Sequence, residues 1–243
     1  MPDSVLLIIP CYRESGRIGP FLDELATEMA RVGRVSIRVV EDGSGAQEQQ
    51  AMSGLLAPYL QKHAFIRPPL MLAENHGKGG AIYSAWREEK EAAWLAFVDA
   101  DGSCSAAEVA RLIGIARSSP PRTAVIASRV KMLGRHVERD WRRHVLGRIY
   151  ATVVSILLDL PVYDSQCGLK LVPRADFERI ASLLHIHGFA FDVELLTTLL
   201  DSGCTVREEP ISWHEIPGGK VRFLRDPLLM ARDVWHVRQR RGQ

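Results

Sequence analysis

The sequence predicts an α/β domain built on one mostly parallel, doubly wound sheet with helices on both faces. Three observations lead there. From Val5 to Ser128, short apolar runs alternate with stretches of helical periodicity, the pattern of strand–helix–strand units. Runs such as Val5-Leu6-Leu7-Ile8-Ile9 and Leu95-Ala96-Phe97-Val98 are apolar without alternation, as in strands covered on both faces. Four polar clusters follow successive runs, and in open α/β sheets ligands gather beyond the carboxyl ends of the strands.

Each element has a local reason. The first strand, Val5–Ile9, is expected to stop at Pro10, which has no N–H to give to a ladder. From Arg17 to about Val32, Ile18, Phe21, Leu22, Leu25 and Met29 fall on one stripe of a helix. Val35–Val40 is the second strand, ending in Glu41-Asp42-Gly43-Ser44-Gly45. A helix over about Gln47–Gln61 leads to a less regular strand near Leu70–Ala73. Asn75–Gly80 is a turn and helix start, the helix reaching about Lys90. Trp94–Val98 is followed by a helix over Ala106–Arg117 and a strand over Ala124–Ser128. In the second half, Arg135–Leu158 reads as one or two helices, basic first and apolar later. Cys167–Val172 is a short strand, Arg174–Leu184 and Asp192–Leu200 are helices, and Thr205–Ile211 is a strand. A Pro217-Gly218-Gly219 loop precedes a final helix from about Asp226. No repeat, linker or low-complexity tract divides the chain, so residues 1–243 are expected to form a single domain.

Composition narrows the function classes. With 243 residues, 47% hydrophobic and 25% charged, the chain has the apolar mass for one large core. A net charge of +2 argues against a dedicated nucleic-acid binder. Cys11, Cys104, Cys167 and Cys204 are scattered with no Cys-x-x-Cys pair, which points to reduced thiols in a cytoplasmic protein. Met1–Ile9 lacks the basic start and long apolar core of a signal peptide. The longest apolar stretch, Ala151–Leu160, contains Asp159 and is about half a membrane crossing. A soluble or peripheral protein is expected. His185 and His187 lack a third ligand nearby in sequence and read as ordinary histidines.

The chemistry is concentrated at Phe97-Val98-Asp99-Ala100-Asp101-Gly102-Ser103. Carboxylates one residue apart point to opposite faces of a strand, but past its end the turn at Gly102 can bring both toward one pocket. Carboxylate oxygens suit Mg²⁺ or Mn²⁺, and Mg²⁺ is held by one or two carboxylates together with substrate phosphates. The other clusters are Pro10-Cys11-Tyr12-Arg13-Glu14, Glu41-Asp42-Gly43-Ser44 and Asn75-His76-Gly77-Lys78-Gly79-Gly80. Taken singly, Pro10 is a strand stop and Asp42-Gly43 a turn; on successive strand ends together they outline a ligand site. The glycine cluster is not a P-loop, since Leu72 stands at its first glycine position and Gly79 at its hydroxyl position. A helix N-terminus carrying Lys78 can still attract a phosphate.

These clusters, with Asp164-Ser165-Gln166-Cys167-Gly168-Leu169-Lys170, Phe191-Asp192-Val193-Glu194-Leu195-Leu196 and Trp213-His214-Glu215-Ile216-Pro217-Gly218-Gly219-Lys220, resemble family 2 glycosyltransferases of the GT-A fold. Within that family the likeness is to the polyprenyl-phosphate hexosyltransferases, on the glucosyl-like branch, from Ile9 to Asp226. Glu41-Asp42 stands where the family usually has two aspartates, Gly219 replaces a common serine, and the N-terminal membrane anchor of the eukaryotic glucosyl enzymes is missing.

The resemblance implies roles. Pro10, Tyr12, Glu14 and Asp42 frame the nucleoside, and Lys78 lies near its phosphates. Asp99, Ala100 and Asp101 engage the sugar nucleotide and a Mg²⁺ or Mn²⁺ ion, Asp101 being the better direct ligand. Arg129 reaches sugar or phosphate. Gln166, Lys170, Lys220 and Arg222, alongside Arg142 and Arg143, are the candidates for the acceptor phosphate. Residues 1–130 are expected to hold the nucleotide sugar and 131–243 the acceptor.

The implied reaction is inverting transfer of a hexose, glucose from UDP-glucose, to a polyprenyl (dolichyl) phosphate at the cytoplasmic membrane face. A phosphomonoester with a second pKa of about 6 is already largely a dianion at neutral pH and needs no base. For a saccharide hydroxyl Asp192 or Glu194 would be the base. The open alternatives are a saccharide or soluble acceptor, GDP-mannose as donor, and a non-catalytic nucleotide-sugar binder. In the last helix Leu224, Leu228, Ala231 and Trp235 share a stripe ringed by arginines, which suits either the protein's own core or an anionic membrane.

Overall fold

A computed structural model describes residues 3–130, 132–134, 137–138, 152, 154, 156–216 and 226–241. Seven strands form one sheet: β1 (Val5–Cys11), β2 (Val35–Asp42), β3 (Leu70–Leu72), β4 (Trp94–Val98), β5 (Thr123–Ser128), β7 (Leu169–Pro173) and β8 (Thr205–Pro210). Their spatial order is β3-β2-β1-β4-β7-β5-β8. A separate pair joins β6 (Val137–Glu138) and β9 (Trp213–His214) in parallel. The helices are α1 (Gly19–Val32), α2 (Ala46–Lys62), α3 (Gly77–Glu88), α4 (Ala106–Ser118), α5 (Arg174–Ile180), α6 (Phe191–Asp201) and α7 (Asp226–Arg241). A 3₁₀ turn, Ala181–Leu183, completes the expected helix after β7.

The pairings β1–β2, β1–β4, β2–β3 and β5–β8 are parallel, and β7 enters antiparallel between β4 and β5. The mostly parallel expectation is met. The strand that follows β4 in sequence is not its neighbour, however, because β7 returns from the second half to sit beside it. Pro10 does not end β1: it pairs with Val40, beyond the last β4 partner at Ile8. Its missing N–H is therefore not needed on that side.

Unbroken apolar strands supply two cores, one per face. Val5, Leu7, Ile9, Trp94, Ala96 and Val98 face α1, α2 and α4. Leu6, Ile8, Leu95, Phe97 and Val172 face α3, α5, α6 and α7. In α7 the buried stripe is Met230, Val234 and Val237, while Ala231 and Trp235 point outward. Of the stripe expected to suit either the core or a membrane, Ala231 and Trp235 do not join this core, and the side chains of Leu224 and Leu228 lie outside the described residues. So does most of the helical region expected over Arg135–Leu158.

Candidate active site

The switch point of the sheet lies between β1 and β4, where the chain leaves in opposite directions. Asp99 follows the tip of β4. Its N–H donates to Gly168 O at 2.9 Å, and its Oδ1 meets Lys78 Nζ at 2.6 Å. Gly168 is required by close approach: a Cβ there would stand 2.0 Å from Asp99 Oδ2. Lys78 comes from the first turn of α3, and its Nζ lies 5.4 Å from the Phe97 ring centroid and 5.8 Å from that of Phe191. Burial alone lowers the Lys78 pKa, but the carboxylates of Asp99 and Asp192 outweigh it and raise it.

Ala100 is buried, and Asp101 projects beyond it with partial exposure. Asp101 Oδ1 accepts from Ser103 N at 2.9 Å, and its Oδ2 has no partner among the described residues. Ser103 also anchors the late segment, since His214 N donates to its carbonyl at 3.1 Å and Ile216 N approaches its Oγ at 3.4 Å. The topology thereby brings His214, expected only as a motif member, beside the two aspartates' turn. Hard carboxylate oxygens, one of them uncommitted, fit a divalent cation of the Mg²⁺ type. No group of three or more His, Cys, Asp or Glu side chains among the described residues holds a metal unaided. A cation at Asp101 would therefore complete its shell with phosphate and water, as Mg²⁺ commonly does.

The nucleoside candidates line the tips of β1 and β2. Tyr12 is half-buried beneath the Arg13 guanidinium, 5.2 Å from its ring centroid. Arg13 adopts φ +56°, a left-handed conformation uncommon for a side chain of its size, and gives its N–H to Ser44 Oγ at 2.9 Å. Glu14 is buried and ion-paired to Arg17, whose Nη2 lies 3.0 Å from Oε1. Asp42, also buried, accepts from His76 N at 2.7 Å and from Asn75 Nδ2 at 3.0 Å. Burial raises its pKa against the pull of the His76 and Gly77 amides.

The glycine cluster has a different job from the one expected. His187 O accepts from Gly79 N at 2.8 Å and from Gly80 N at 3.2 Å, occupying the amides that were to attract a phosphate. A Cβ at Gly79 would stand 2.4 Å from Phe191 Cβ. The glycines let the His187–Phe191 segment press onto α3, which seats Lys78.

Three acceptor-side expectations change. Lys170 has no exposed surface: Nζ meets Asp192 Oδ1 at 2.6 Å and donates to Cys167 O at 2.7 Å. It lies under the site rather than in it. Asp192 is only 3% exposed, and burial raises its pKa, opposed by Lys170 and Lys78. Glu194 is 2% exposed and saturated, taking the N–H groups of His185 and Ile186 at 2.9 and 2.7 Å on Oε2 and Arg240 at 2.6 Å on Oε1. It fastens α7 to the body and is not placed to act as a base. Gln166 Nε2 donates to Phe189 O at 3.1 Å. Lys220, Arg222, Arg142, Arg143 and the Pro217–Gly219 loop lie outside the described residues.

Arg129 is not a solvated surface side chain. It forks onto Asp164 with Nε–Oδ2 at 2.6 Å and Nη2–Oδ1 at 2.7 Å, and its guanidinium lies 5.1 Å from the Trp213 ring centroid. Burial alone lowers its pKa, but Asp164 outweighs that and raises it. Asp164 and Trp213 belong to sequence motifs that suggest no role for them; only the fold places them around Arg129. A cavity of about 730 Å³ lies between His185–Phe189 and α7, and neither Asp99 nor Asp101 lines it.

The model of the family described as "Glycosyl transferase family 2" matches residues 6–181. The chain belongs to that family. The dolichyl-phosphate beta-glucosyltransferase of Saccharomyces cerevisiae is 30% identical over 246 residues, covering 96% of this chain and 73% of the yeast protein. The human protein of the same name is 30% identical over 250 residues, covering 96% and 74%. Among solved structures, glucosyl-3-phosphoglycerate synthase of Mycobacterium tuberculosis with UDP aligns with a TM-score of 0.70 at 16% identity, over 98% of this chain and 80% of that one. A second structure of that synthase, with Mn²⁺, UDP and phosphoglyceric acid, aligns at 0.68 and 16% identity, over 97% and 77%. These likenesses show the fold, the GT-A arrangement of a glycosyltransferase.

Proposed function

We propose that this family 2 enzyme transfers glucose from UDP-glucose, with inversion, to the phosphate of a polyprenyl (dolichyl) phosphate, using Mg²⁺ or Mn²⁺. The observation that carries the reading is the likeness to dolichyl-phosphate beta-glucosyltransferases along 96% of the chain. The site supports it. Tyr12, Pro10 and Asp42 border the nucleoside, with Glu14 acting through Arg17. Lys78 holds Asp99 toward the diphosphate, and Asp101 offers Oδ2 to the cation. That cation, when bound, neutralises charge on the departing diphosphate.

The acceptor oxygen forms a bond to the sugar's anomeric carbon as the bond to the β-phosphate breaks and its electron pair leaves with UDP. A hydroxyl nucleophile would need a base, but Asp192 is buried against Lys170 and Glu194 is saturated. A phosphate dianion needs none, which favours the lipid phosphate over a saccharide acceptor. Cations must still receive that phosphate. Lys220 and Arg222 remain the candidates, with Gln166 beside them and Arg129 near the sugar. Residues 1–130 hold the donor and 131–243 the acceptor in this reading, within one domain.

No helix among the described residues is long and apolar enough to cross a membrane. Exposed Leu133, Ile156, Tyr163 and Trp235, with the arginines of α7, support peripheral membrane contact, which this reading places at the cytoplasmic face. Vesicle flotation with and without residues 224–243 tests the helix; equal binding rejects its part.

The deciding assay presents labelled UDP- and GDP-sugars with dolichyl or undecaprenyl phosphate and Mg²⁺, Mn²⁺ or EDTA. Label from UDP-glucose should enter organic solvent only with a divalent ion. Transfer solely from GDP-mannose, solely to a saccharide, or undiminished in EDTA overturns the reading. Lys220→Ala should lower turnover far more than melting temperature; an unchanged rate removes Lys220 from the site.

A further inference from the structure

Lys170 is the side chain that the core least explains. It sits in β7 directly opposite Phe97, on a face whose neighbours Leu95, Phe97 and Val172 belong to an apolar core. A buried ammonium is strongly unfavourable unless paired, and even a good buried pair contributes little stability beyond an apolar replacement. Stability alone therefore does not account for this pair. What Lys170 touches does. Its Nζ closes onto Cys167 O at 2.7 Å, fixing the residue before Gly168, and Gly168 is the seat of Asp99. Its partner Asp192 directly follows Phe191, whose ring centroid lies 5.8 Å from Lys78 Nζ, and the Asp192 charge favours the Lys78 ammonium. Lys78 and Lys170 each stand 5.4 Å from the Phe97 ring centroid. Charges thus alternate Lys170, Asp192, Lys78, Asp99, with Asp99 the exposed end.

We propose that the buried Lys170–Asp192 pair is a positioning device: it holds Gly168 and Lys78, and through them fixes the Asp99 carboxylate in one orientation toward the donor diphosphate. The proposal rests on the donor reading above. Neither residue touches substrate, so neither is catalytic.

The test replaces both charges, Lys170→Met with Asp192→Leu, and compares the double variant with the parent and with Lys170→Met alone. The single variant should melt well below the parent because Asp192 is left unpaired. The double variant should recover most of that loss yet bind UDP, by calorimetry with Mn²⁺, at least about tenfold more weakly. Its kcat/KM for UDP-glucose should fall about 100-fold, the effect of a displacement of about 1 Å, with the KM for the lipid acceptor unchanged. Parent-like melting together with UDP affinity and kcat/KM within twofold of the parent overturns the proposal. If the double variant does not fold, Asp192→Asn, which keeps the volume, should show the same tenfold loss of UDP affinity, and parent-like affinity there overturns it. A parent that neither binds UDP nor transfers glucose strikes the donor reading instead. In that event crystal structures of parent and variant decide: an Asp99 carboxylate within about 0.5 Å of its parent position overturns the positioning role, and a larger displacement supports it.

Discussion

The tips of β2 and β4 carry the same tripeptide, Asp42-Gly43-Ser44 and Asp101-Gly102-Ser103. Both glycines take left-handed conformations, at φ +63° and +74°. The aspartates nevertheless differ. Asp42 is buried with both oxygens occupied, by His76 N and Asn75 Nδ2. Asp101 is partly exposed and has spent only one oxygen, on Ser103 N. What passes overhead decides it. At Gly43 the loop after β3 crosses so closely that a Cβ would stand 2.1 Å from Glu74 C, whereas at Gly102 the nearest atom is a Phe21 side-chain carbon at 3.4 Å. A carboxylate with both oxygens satisfied by neighbouring donors is scaffold; one with an oxygen to spare is available for chemistry.

Removing charge at each tip separates the two roles. Asp101→Asn keeps an oxygen for Ser103 N and leaves no buried group stranded. It should cost about 10²–10³ in turnover, the scale of losing an electrostatic contact to developing charge, with melting changed by no more than about 2 °C. Rates and a thermal melt on the same preparation check this. Near-normal turnover would remove Asp101 from the chemistry.

Asp42→Ala should reverse the balance. It strands the part-buried His76 N–H, while Asn75 Nδ2 keeps its bond to Asp42 O at 3.0 Å; a donor left without its partner costs about 1–3 kcal/mol. For a chain of this size about 2 kcal/mol moves the melting point by about 4–8 °C. Donor KM should rise with it, since the same residues frame the nucleoside. A melt unchanged from the parent would show that the loop does not depend on Asp42.

Glu194 extends the scaffold case to the second half. Glu194→Gln puts an amide group where only acceptors fit, against Arg240 or against the His185 and Ile186 amides. A loss of about 2 kcal/mol should follow, with α7 more open to proteolysis and turnover per folded molecule unchanged. A large fall in turnover without instability would restore Glu194 as a base.

Most of the sheet was legible because its strands are apolar on both faces and its helices carry stripes; the bounds of α1, α2, α4 and β8 lie within about two residues of expectation. Asp99-Ala100-Asp101 is a weak signal alone and stands out in the sequence because three further polar clusters end strands beside it. Partnership was not legible. No local pattern announces that β7 enters between β4 and β5, so Lys170 read as a cation for substrate when the pairing places it opposite Phe97. The N-terminus of α3 reads as open to a phosphate because the segment that covers its glycines, His187–Phe191, lies about 110 residues away in sequence. In α7 two stripes had helical spacing, and tertiary packing, which periodicity cannot report, buried Met230, Val234 and Val237.

The smallest effect is also a contrast between carboxylates, now in their response to pH. Glu89, far from the site, takes the N–H groups of Glu91 and Ala92 at 2.7 and 2.8 Å and pairs with Arg67 at 2.6 Å. Burial pushes its pKa up, but the amides and Arg67 outweigh this and hold it below the ordinary 4.5. A carboxylate depressed on folding contributes stability above its unfolded pKa and loses it as pH falls through the folded value. Asp42 shifts the other way, so its titration contributes below the ordinary 3.8 and the contribution is lost as pH rises through its raised folded value. The melting gap between parent and Glu89→Gln should therefore be open at pH 7 and narrow below about pH 4.5. For Asp42→Asn any advantage of the parent should instead widen on acidification, because the ionised form is the one the fold disfavours. Melts of both variants from pH 7 to pH 3.5 measure the two slopes; slopes of the same sign would mean that these buried carboxylates are not held by opposite balances of burial and amide donation.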